Sequence, residues 1–234
     1  YFYEMINRYT LKNMDYLISS FNISDELKLP IYNAFPTRKL PVITLNDSKN
    51  ITYENWGSTS EYSKNNNLPN RLINVNLSKI IRSNIYLNQF KTQRCLIPCD
   101  GFFLWKNYFS KNKTPFYFEY IKEKLIYCVG IRDSFQDFDG KKFNFFYFIT
   151  EPSSGRWRNF TSSLPVTFDM RYYDIWLDKK SNLKKIKPFT NKLKYEDLKG
   201  FSVSPYFNDN NKDDQSLVKP IKSLNQYGNY SLFD

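Results

Sequence analysis

Short apolar or alternating runs separated by polar turns recur along the chain, and this pattern predicts a protein built mainly from strands. Helical spacing follows Asn13 and recurs over Leu77–Phe90, and Arg171–Leu177 is predicted to be a short helix or a turn. The predicted strands are Arg8–Leu11, Pro41–Leu45, Ile51–Trp56, Arg71–Asn76, Phe116–Tyr120, Leu125–Ile131, Phe143–Thr150, Leu164–Phe168 and Val203–Phe207. We therefore expect an α+β fold around a curved, mainly antiparallel sheet.

Proline-punctuated and polar stretches mark the predicted loops. Residues 30–41 contain three prolines, and residues 58–70 are polar, rich in Asn and without a period, so both are predicted to be loops. No linker or internal repeat divides the chain. We expect one domain over residues 1–221 and a polar tail over residues 222–234.

The stretch from Arg94 to Lys106 is central to the pattern. The short apolar run Leu96-Ile97-Pro98 stops at a proline, Asp100-Gly101 predicts a tight turn, and a second run with three aromatic rings follows. One interpretation is a core hairpin. The other is that Asp-Gly brings the backbone close to a ligand and that Leu104, which has no acid–base group, points into a pocket.

The chain is strongly basic. It carries 34 Lys and Arg against 23 Asp and Glu, a formal charge of +11, which favours an anionic partner such as nucleic acid. Lys, Asn, Ile, Tyr and Phe are also abundant together, as AT-rich coding would produce. Coding bias and a selected basic surface therefore explain the charge equally well. Aromatic residues make up 19%, and most of them must fill a strand-rich core.

The three cysteines and the lack of histidine limit the chemistry. An odd number of cysteines without a CxxC pair favours neither a disulfide framework nor a zinc site. Without His, the common Ser/His and Cys/His nucleophile pairs are excluded. We expect no metal and no cofactor.

No apolar run is long enough to span a membrane, and the N-terminus lacks the apolar core of a signal peptide. We therefore expect a soluble protein of a reducing, intracellular compartment, with no membrane partner.

Seven motifs, in order along the chain, carry a specific resemblance. They are NRYTL from Asn7, YNAFPTRKLPVI from Tyr32, WG from Trp56, NRLINVN from Asn70, RCLIPCDGFFLW from Arg94, SSLPVTF from Ser162 and VSPYFN from Val203. Together they resemble the SOS response-associated peptidase (SRAP) family over roughly residues 5–221. The resemblance implies a single SRAP-like domain.

The resemblance also implies a chemistry and shows where this chain departs from it. Family members bind single-stranded DNA at abasic sites, and an N-terminal Cys attacks the ring-opened sugar to form a thiazolidine crosslink, assisted by an Asn, a Glu and a His. The thiol position falls on Ile6, the Glu on Leu104 and the His on Thr161, whereas the Asn is retained as Asn74. Catalysis by the family mechanism is therefore not expected.

A second register changes one of these assignments. Some family members carry longer N-terminal segments, and a Cys immediately before Tyr1 would restore the thiol. It would not restore the proton carriers at Leu104 and Thr161, whose loss should slow each step by about 10²-fold or more.

DNA binding is a separate expectation. Arg8, Asn33, Trp56 and Asn74 match positions that line the family's DNA-facing cleft, and Arg71 lies beside them.

Each retained residue also has a structural interpretation, in which the Asn amides hold loops and the Trp56 ring packs under the sheet. Two further family arginines are Asn76 and Ser163 here, which removes two possible phosphate contacts.

Three hypotheses follow from the sequence. The first is a catalytically degenerate SRAP protein that binds single-stranded or abasic DNA non-covalently. The second is a non-enzymatic structural subunit of a larger assembly, with exposed aromatic residues and the basic stretch Lys179–Lys187 as contact surfaces. The third is an active crosslinker that uses a Cys upstream of Tyr1.

Overall fold

A computed structural model describes residues 6–22, 30–58, 72–107, 113–122 and 125–221, and the elements below belong to these residues. The strands are β1 Tyr9–Leu11, β2 Ile31–Ala34, β3 Lys39–Thr44, β4 Thr52–Trp56, β5 Asn74–Asn76, β6 Arg94–Cys99, β7 Gly101–Asn107, β8 Lys113–Tyr120, β9 Ile126–Gln136, β10 Lys142–Pro152, β11 Ser163–Phe168, β12 Thr190–Lys192 and β13 Leu198–Ser202. The helices are α1 Met14–Ser20, α2 Leu77–Arg82, α3 Asn84–Gln93, α4 Tyr173–Leu177 and α5 Leu183–Ile186. The α+β prediction is confirmed, whereas the tail over residues 222–234 lies outside the described residues.

Five strands close into a ring. In order around it they are β3, β4, β10, β9 and β6, and β6 pairs back with β3. The β4–β10 pair is parallel and the other four pairs are antiparallel. The strands β5 and β11 also pair with β10, and β12 extends the sheet from β11. A closed ring leaves few unpaired edges and encloses a packed core.

A second sheet has the strand order β13-β8-β7-β1-β2. It is tied to the ring by aromatic packing. The Tyr9 ring of β1 lies 5.3 Å from the Trp56 ring of β4 and 5.7 Å from the Phe148 ring of β10. All three side chains are buried, so these rings belong to one core shared by both sheets.

The predicted core hairpin at Asp100-Gly101 is wrong. Its two strands exist, but β6 pairs with β3 and β9 in the ring, whereas β7 pairs with β1 and β8 in the second sheet. The turn is therefore the point where the chain passes from one sheet to the other. A Cβ atom at position 101 would collide with the Tyr117 ring, so glycine permits this close crossing.

Two other predictions need correction. Residues 30–41 are not wholly loop, because β2 and the start of β3 lie within them. Residues 203–207 do not form the last strand. Ser204 Oγ accepts a hydrogen bond from Tyr206 N and Pro205 follows, so the chain enters a short 3-10 helix there, and the last strand is β13.

The predicted helix over Leu77–Phe90 divides into α2 and α3. Ser83 has an extended conformation (φ −117°, ψ 118°), and its hydroxyl accepts from Tyr86 N at 3.5 Å at the start of α3. The predicted helices after Asn13 and over Arg171–Leu177 are confirmed as α1 and α4.

Arg94 anchors the helical face to the ring. Its side chain is fully buried, and its guanidinium donates to the carbonyl oxygens of Trp176 (2.6 and 3.0 Å), Asp178 (2.8 Å), Lys91 (2.8 Å) and Ser181 (3.3 Å). Burial lowers the pKa of this guanidinium to about 10. These bonds fix the ends of α3 and α4 against β6.

Candidate functional site

The structure brings Ile6 and Asn74 together. Asn74 begins β5, which runs parallel to β10 and places Asn74 opposite Phe148. Its side-chain amide nitrogen donates to the carbonyl oxygen of Ile6 at 3.5 Å, and both residues are buried. The two positions that the sequence predicts for the Asn and the thiol are therefore neighbours, but the side chain at the predicted thiol position is aliphatic.

Leu104 lies on β7, alongside the same N-terminal segment. The neighbouring Phe103 N donates to Arg8 O at 3.2 Å, which joins β7 to the residues just after Ile6. Leu104 is 3% exposed and pairs across the sheet with Phe116. It lines neither of the two cavities described below, so the prediction that it points into a pocket gains no support from them.

Thr161 follows a short 3-10 helix over residues 155–159. Its hydroxyl donates to Ser163 O at 2.8 Å, and its carbonyl accepts from the Ser153 hydroxyl at 2.6 Å. The adjacent Phe160 ring meets the Phe116 ring edge-on at 5.4 Å. Leu104 and Thr161 therefore border one aromatic cluster.

These positions offer no group for moving protons. Ile6 and Leu104 have hydrocarbon side chains, and the Thr161 hydroxyl is committed to a backbone carbonyl. The chain has no His anywhere. An added carboxylate at position 104 would be buried beside Phe116, where the loss of water strongly disfavours charge.

Arg8 and Asn33 form a hydrogen-bonded pair. Arg8 Nη1 donates to Asn33 Oδ1 at 2.9 Å, and Nη2 donates to Asn208 O at 3.2 Å and Asn210 Oδ1 at 2.8 Å. Partial burial lowers the pKa of Arg8, although Asp209 opposes this effect. Three N–H bonds of Arg8 therefore already point at protein acceptors.

Asn33 is fully buried and holds the segment that follows β13. Its Nδ2 group lies within hydrogen-bond distance of the carbonyls of Phe207 (3.0 Å), Asp209 (3.1 Å) and Lys212 (2.8 Å). Asp213 Oδ1 accepts from the backbone N–H of Asn33 at 2.8 Å. This arrangement favours the structural interpretation of Asn33.

Trp56 is also fully buried. Its Nε1 donates to Ile73 O at 3.1 Å, and its ring packs on Tyr9 and Phe148. No face of the ring is exposed for stacking on a base, so the packing interpretation fits it better. Gly57 follows with φ +89°, in the left-handed region that favours glycine.

Three further positions were singled out in the sequence: Asn76, Ser163 and Arg71. Asn76 Oδ1 accepts from Ser78 N at 2.9 Å and caps α2. Ser163 is buried and its hydroxyl has no hydrogen-bond partner among the described residues. Arg71 lies outside the described residues.

A buried carboxylate, Asp100, organises the start of the chain. It accepts from the Thr10 hydroxyl at 2.6 Å, Lys12 N at 2.5 Å and Asn13 N at 2.9 Å. Burial raises its pKa even though these hydrogen bonds act in the opposite direction. Sequence reasoning identified Asp100 only as a turn residue, because its partners lie almost 90 positions away.

The described ranges contain neither a metal-binding cluster nor a membrane-spanning helix. No group of three or more His, Cys, Asp or Glu residues is placed to hold a metal ion, and no described helix is long and apolar enough to cross a membrane.

Sequence comparison identifies relatives along most of the chain. The profile of the family described as SOS response associated peptidase (SRAP) matches residues 5–210. Abasic site processing protein YoqW of Bacillus subtilis is 22% identical over 223 residues, which cover 92% of this chain and 99% of that protein. Abasic site processing protein YoaM of the same organism is 24% identical over 184 residues, or 76% of this chain and 81% of that protein.

Solved structures share the fold. A protein from Bacteroides thetaiotaomicron superposes with a TM-score of 0.76 at 17% identity, over 94% of this chain and 99% of that one. A phage-related protein from Bordetella bronchiseptica gives a TM-score of 0.63 at 19% identity, over 84% of this chain and 93% of that one. The two-sheet architecture is therefore an established one.

Proposed function

Because this chain belongs to the SOS response-associated peptidase family, we propose that it binds single-stranded DNA at abasic sites without forming the family's covalent bond. The names of its relatives, which are abasic site processing proteins, support the DNA substrate. The formal charge of +11 supports binding to a polyanion.

One observation supports the proposed lack of covalent chemistry. The three positions that the resemblance assigns to the thiol, the Glu and the His hold Ile6, Leu104 and Thr161, and all three are buried. Only Asn74 keeps the family residue, and its amide is bonded to the Ile6 carbonyl. A sugar aldehyde placed there would meet no nucleophile and no proton carrier from these positions.

The predicted DNA contacts differ in how well the structure supports them. Arg8 is the best supported, because it carries a positive charge and its side chain is partly exposed. Asn33 and Trp56 are buried and would act by shaping the surface, whereas Asn74 and Arg71 remain predicted contacts. A phosphate at Arg8 would have to share the guanidinium with Asn210.

The test is incubation of the protein with a single-stranded oligonucleotide that carries one abasic site and with the matched intact strand. We expect a native gel shift that weakens steeply between about 50 and 200 mM salt, and no covalent band on a denaturing gel. A covalent band would overturn the non-covalent assignment and indicate a nucleophile elsewhere, including a Cys upstream of Tyr1.

An Arg8→Gln variant tests the contact itself. We expect weaker binding and a salt dependence lower by roughly one phosphate contact, whereas Lys91→Gln on the exposed face of α3 should bind as the parent does. Thermal unfolding of both variants separates lost contact from lost structure. If the two folded variants bind DNA with equal affinity, Arg8 does not contact the DNA.

A second function, a non-enzymatic subunit of a larger assembly, is favoured by one surface. Ile81 at the end of α2 is 47% exposed and Ile85 at the start of α3 is 73% exposed. Exposed aliphatic side chains of this size are typical of protein contacts. This function would be favoured if the protein shifts no DNA in the native gel and is recovered in a complex with other proteins.

A further inference from the structure

Two adjoining cavities lie away from the family positions. The larger, the aromatic cavity, has a volume of about 620 Å³ and lies between α1, the turn after β3, the start of β9 and α4. The smaller, the basic cavity, has a volume of about 270 Å³ and lies between the start of β9, the end of β11 and β12. They share a wall of Leu125, Tyr127 and Met170.

Flat rings line the aromatic cavity. Tyr16 on α1 is 42% exposed, and the Tyr173 ring of α4 is half-buried with its hydroxyl donating to Ser48 O at 3.1 Å. Phe21 meets the Tyr173 ring edge-on at 6.2 Å and supports it. The volume is in the range of small-molecule sites, and rings held in this way suit a planar heterocycle.

Charge distinguishes the basic cavity. Lys122, Arg171, Lys192 and Lys194 line it, together with only two carboxylates. One of these, Asp169, is held by Arg171 at 2.5 Å.

The lysines are more weakly engaged. Lys122 lies 3.7 Å from Asp197, and Lys192 lies 3.8 Å from Glu151. Lys194 is exposed and has no ion pair among the described residues. Lysines whose ion pairs are this long or missing suit an anionic group such as phosphate.

We propose that these cavities form a nucleoside-phosphate site, with the base against Tyr16 and Tyr173 and the phosphate against Lys192 and Lys194. The shared wall places the two halves side by side, as the base and phosphate of one nucleotide are. A free nucleotide and a nucleotide within a strand carry this same chemistry. The site is separate from Ile6, Asn74, Leu104 and Thr161, none of which lines either cavity.

The experiment measures binding of AMP, adenosine, inorganic phosphate and an intact oligothymidine strand to the full chain by calorimetry. We expect AMP or the strand to bind at least about tenfold more tightly than adenosine or phosphate alone. Tight AMP binding identifies a free nucleotide as the ligand, whereas binding of the strand alone identifies nucleic acid. Equal affinity for phosphate and AMP would overturn the proposal, as would no binding of either AMP or the strand.

Variants locate the site. We expect the double variant Lys192→Gln/Lys194→Gln to weaken binding at least about tenfold, and Tyr16→Ala to weaken it about fivefold or more. The matched control Lys39→Gln/Lys91→Gln removes the same charge from exposed positions outside both cavities and should bind as the parent does. If the control and the double variant lose affinity equally, only net charge is involved and the site is refuted.

Discussion

Replacing Asn33 with alanine should destabilise the protein, because this side chain joins β2 to the segment after β13. Its amide group has two N–H bonds for the carbonyls of Phe207, Asp209 and Lys212, and its oxygen accepts from Arg8. Two neutral bonds contribute about 1 kcal/mol each and the bond from a charged donor about 1.5 kcal/mol or more. Water can reach some of the freed groups, so we expect a loss of about 3 kcal/mol in the free energy of unfolding.

For a chain of this size, such a loss corresponds to a fall in Tm of about 6–12 °C. Urea unfolding measures the free energy, and hydrogen exchange of residues 205–213 shows whether that segment opens. The control is Asn210→Ala, which removes only the exposed bond from Arg8 and should cost less than about 0.5 kcal/mol.

The reasoning would be refuted by an Asn33→Ala variant that unfolds within about 0.5 kcal/mol of the parent and exchanges normally over residues 205–213. A loss of DNA affinity in such a variant would instead identify Asn33 as a direct contact. The experiment therefore separates the two interpretations that the sequence left open.

Three further predictions concern buried and paired groups. Arg94→Lys loses the planar fork that reaches four carbonyls, so urea unfolding should show a loss of about 3 kcal/mol, and a loss below about 1 kcal/mol would contradict this role. Lys185→Ala should raise the pKa of Asp178 from about 2 toward its ordinary 3.8, because hydrogen bonding from Lys185 is the largest cause of the lowered pKa. A lowered pKa stabilises the native state above the unfolded pKa, so the parent should lose this contribution as pH falls from about 4 to 2. The variant should lose less, because Lys180 N and the Ser181 hydroxyl still donate to Asp178, and carboxyl NMR titration checks the shift. All three cysteines are buried, so their thiols should react with a disulfide reagent only as fast as the protein unfolds, and rapid reaction of the native protein would contradict their burial. Burial also raises the pKa of Cys95 and Cys99, which keeps these two thiols protonated.

Strands could be predicted from the sequence better than their partners. The apolar run of β6 identifies a strand, but its partners are Ile43-Thr44 and residues 126–131, which local spacing cannot reveal. An Asp-Gly turn between two apolar runs looks the same whether the strands pair or diverge into different sheets. The hairpin prediction failed for that reason.

The site residues also differ in how well the sequence alone predicts them. Ile6, Leu104 and Thr161 could be assigned from flanking motifs, and the family match over residues 5–210 confirms the resemblance. The burial of Trp56 and the structural role of Asn33 could not be predicted. The carbonyl groups that the Asn33 amide nitrogen contacts lie 174 to 179 residues further along the chain. Residue identity is local, whereas exposure depends on the complete fold.

The closed ring has a consequence for how this chain folds. Its parallel seam joins Asn55 to Phe145 and Trp56 to Phe146, so closure needs two segments separated by 90 residues to meet. The antiparallel pairs β3–β4 and β9–β10 join neighbouring segments and lose less chain entropy when they form. Folding should therefore build these two ribbons early and close the seam late and slowly, exposing the aromatic strand β10 to aggregation until the seam closes.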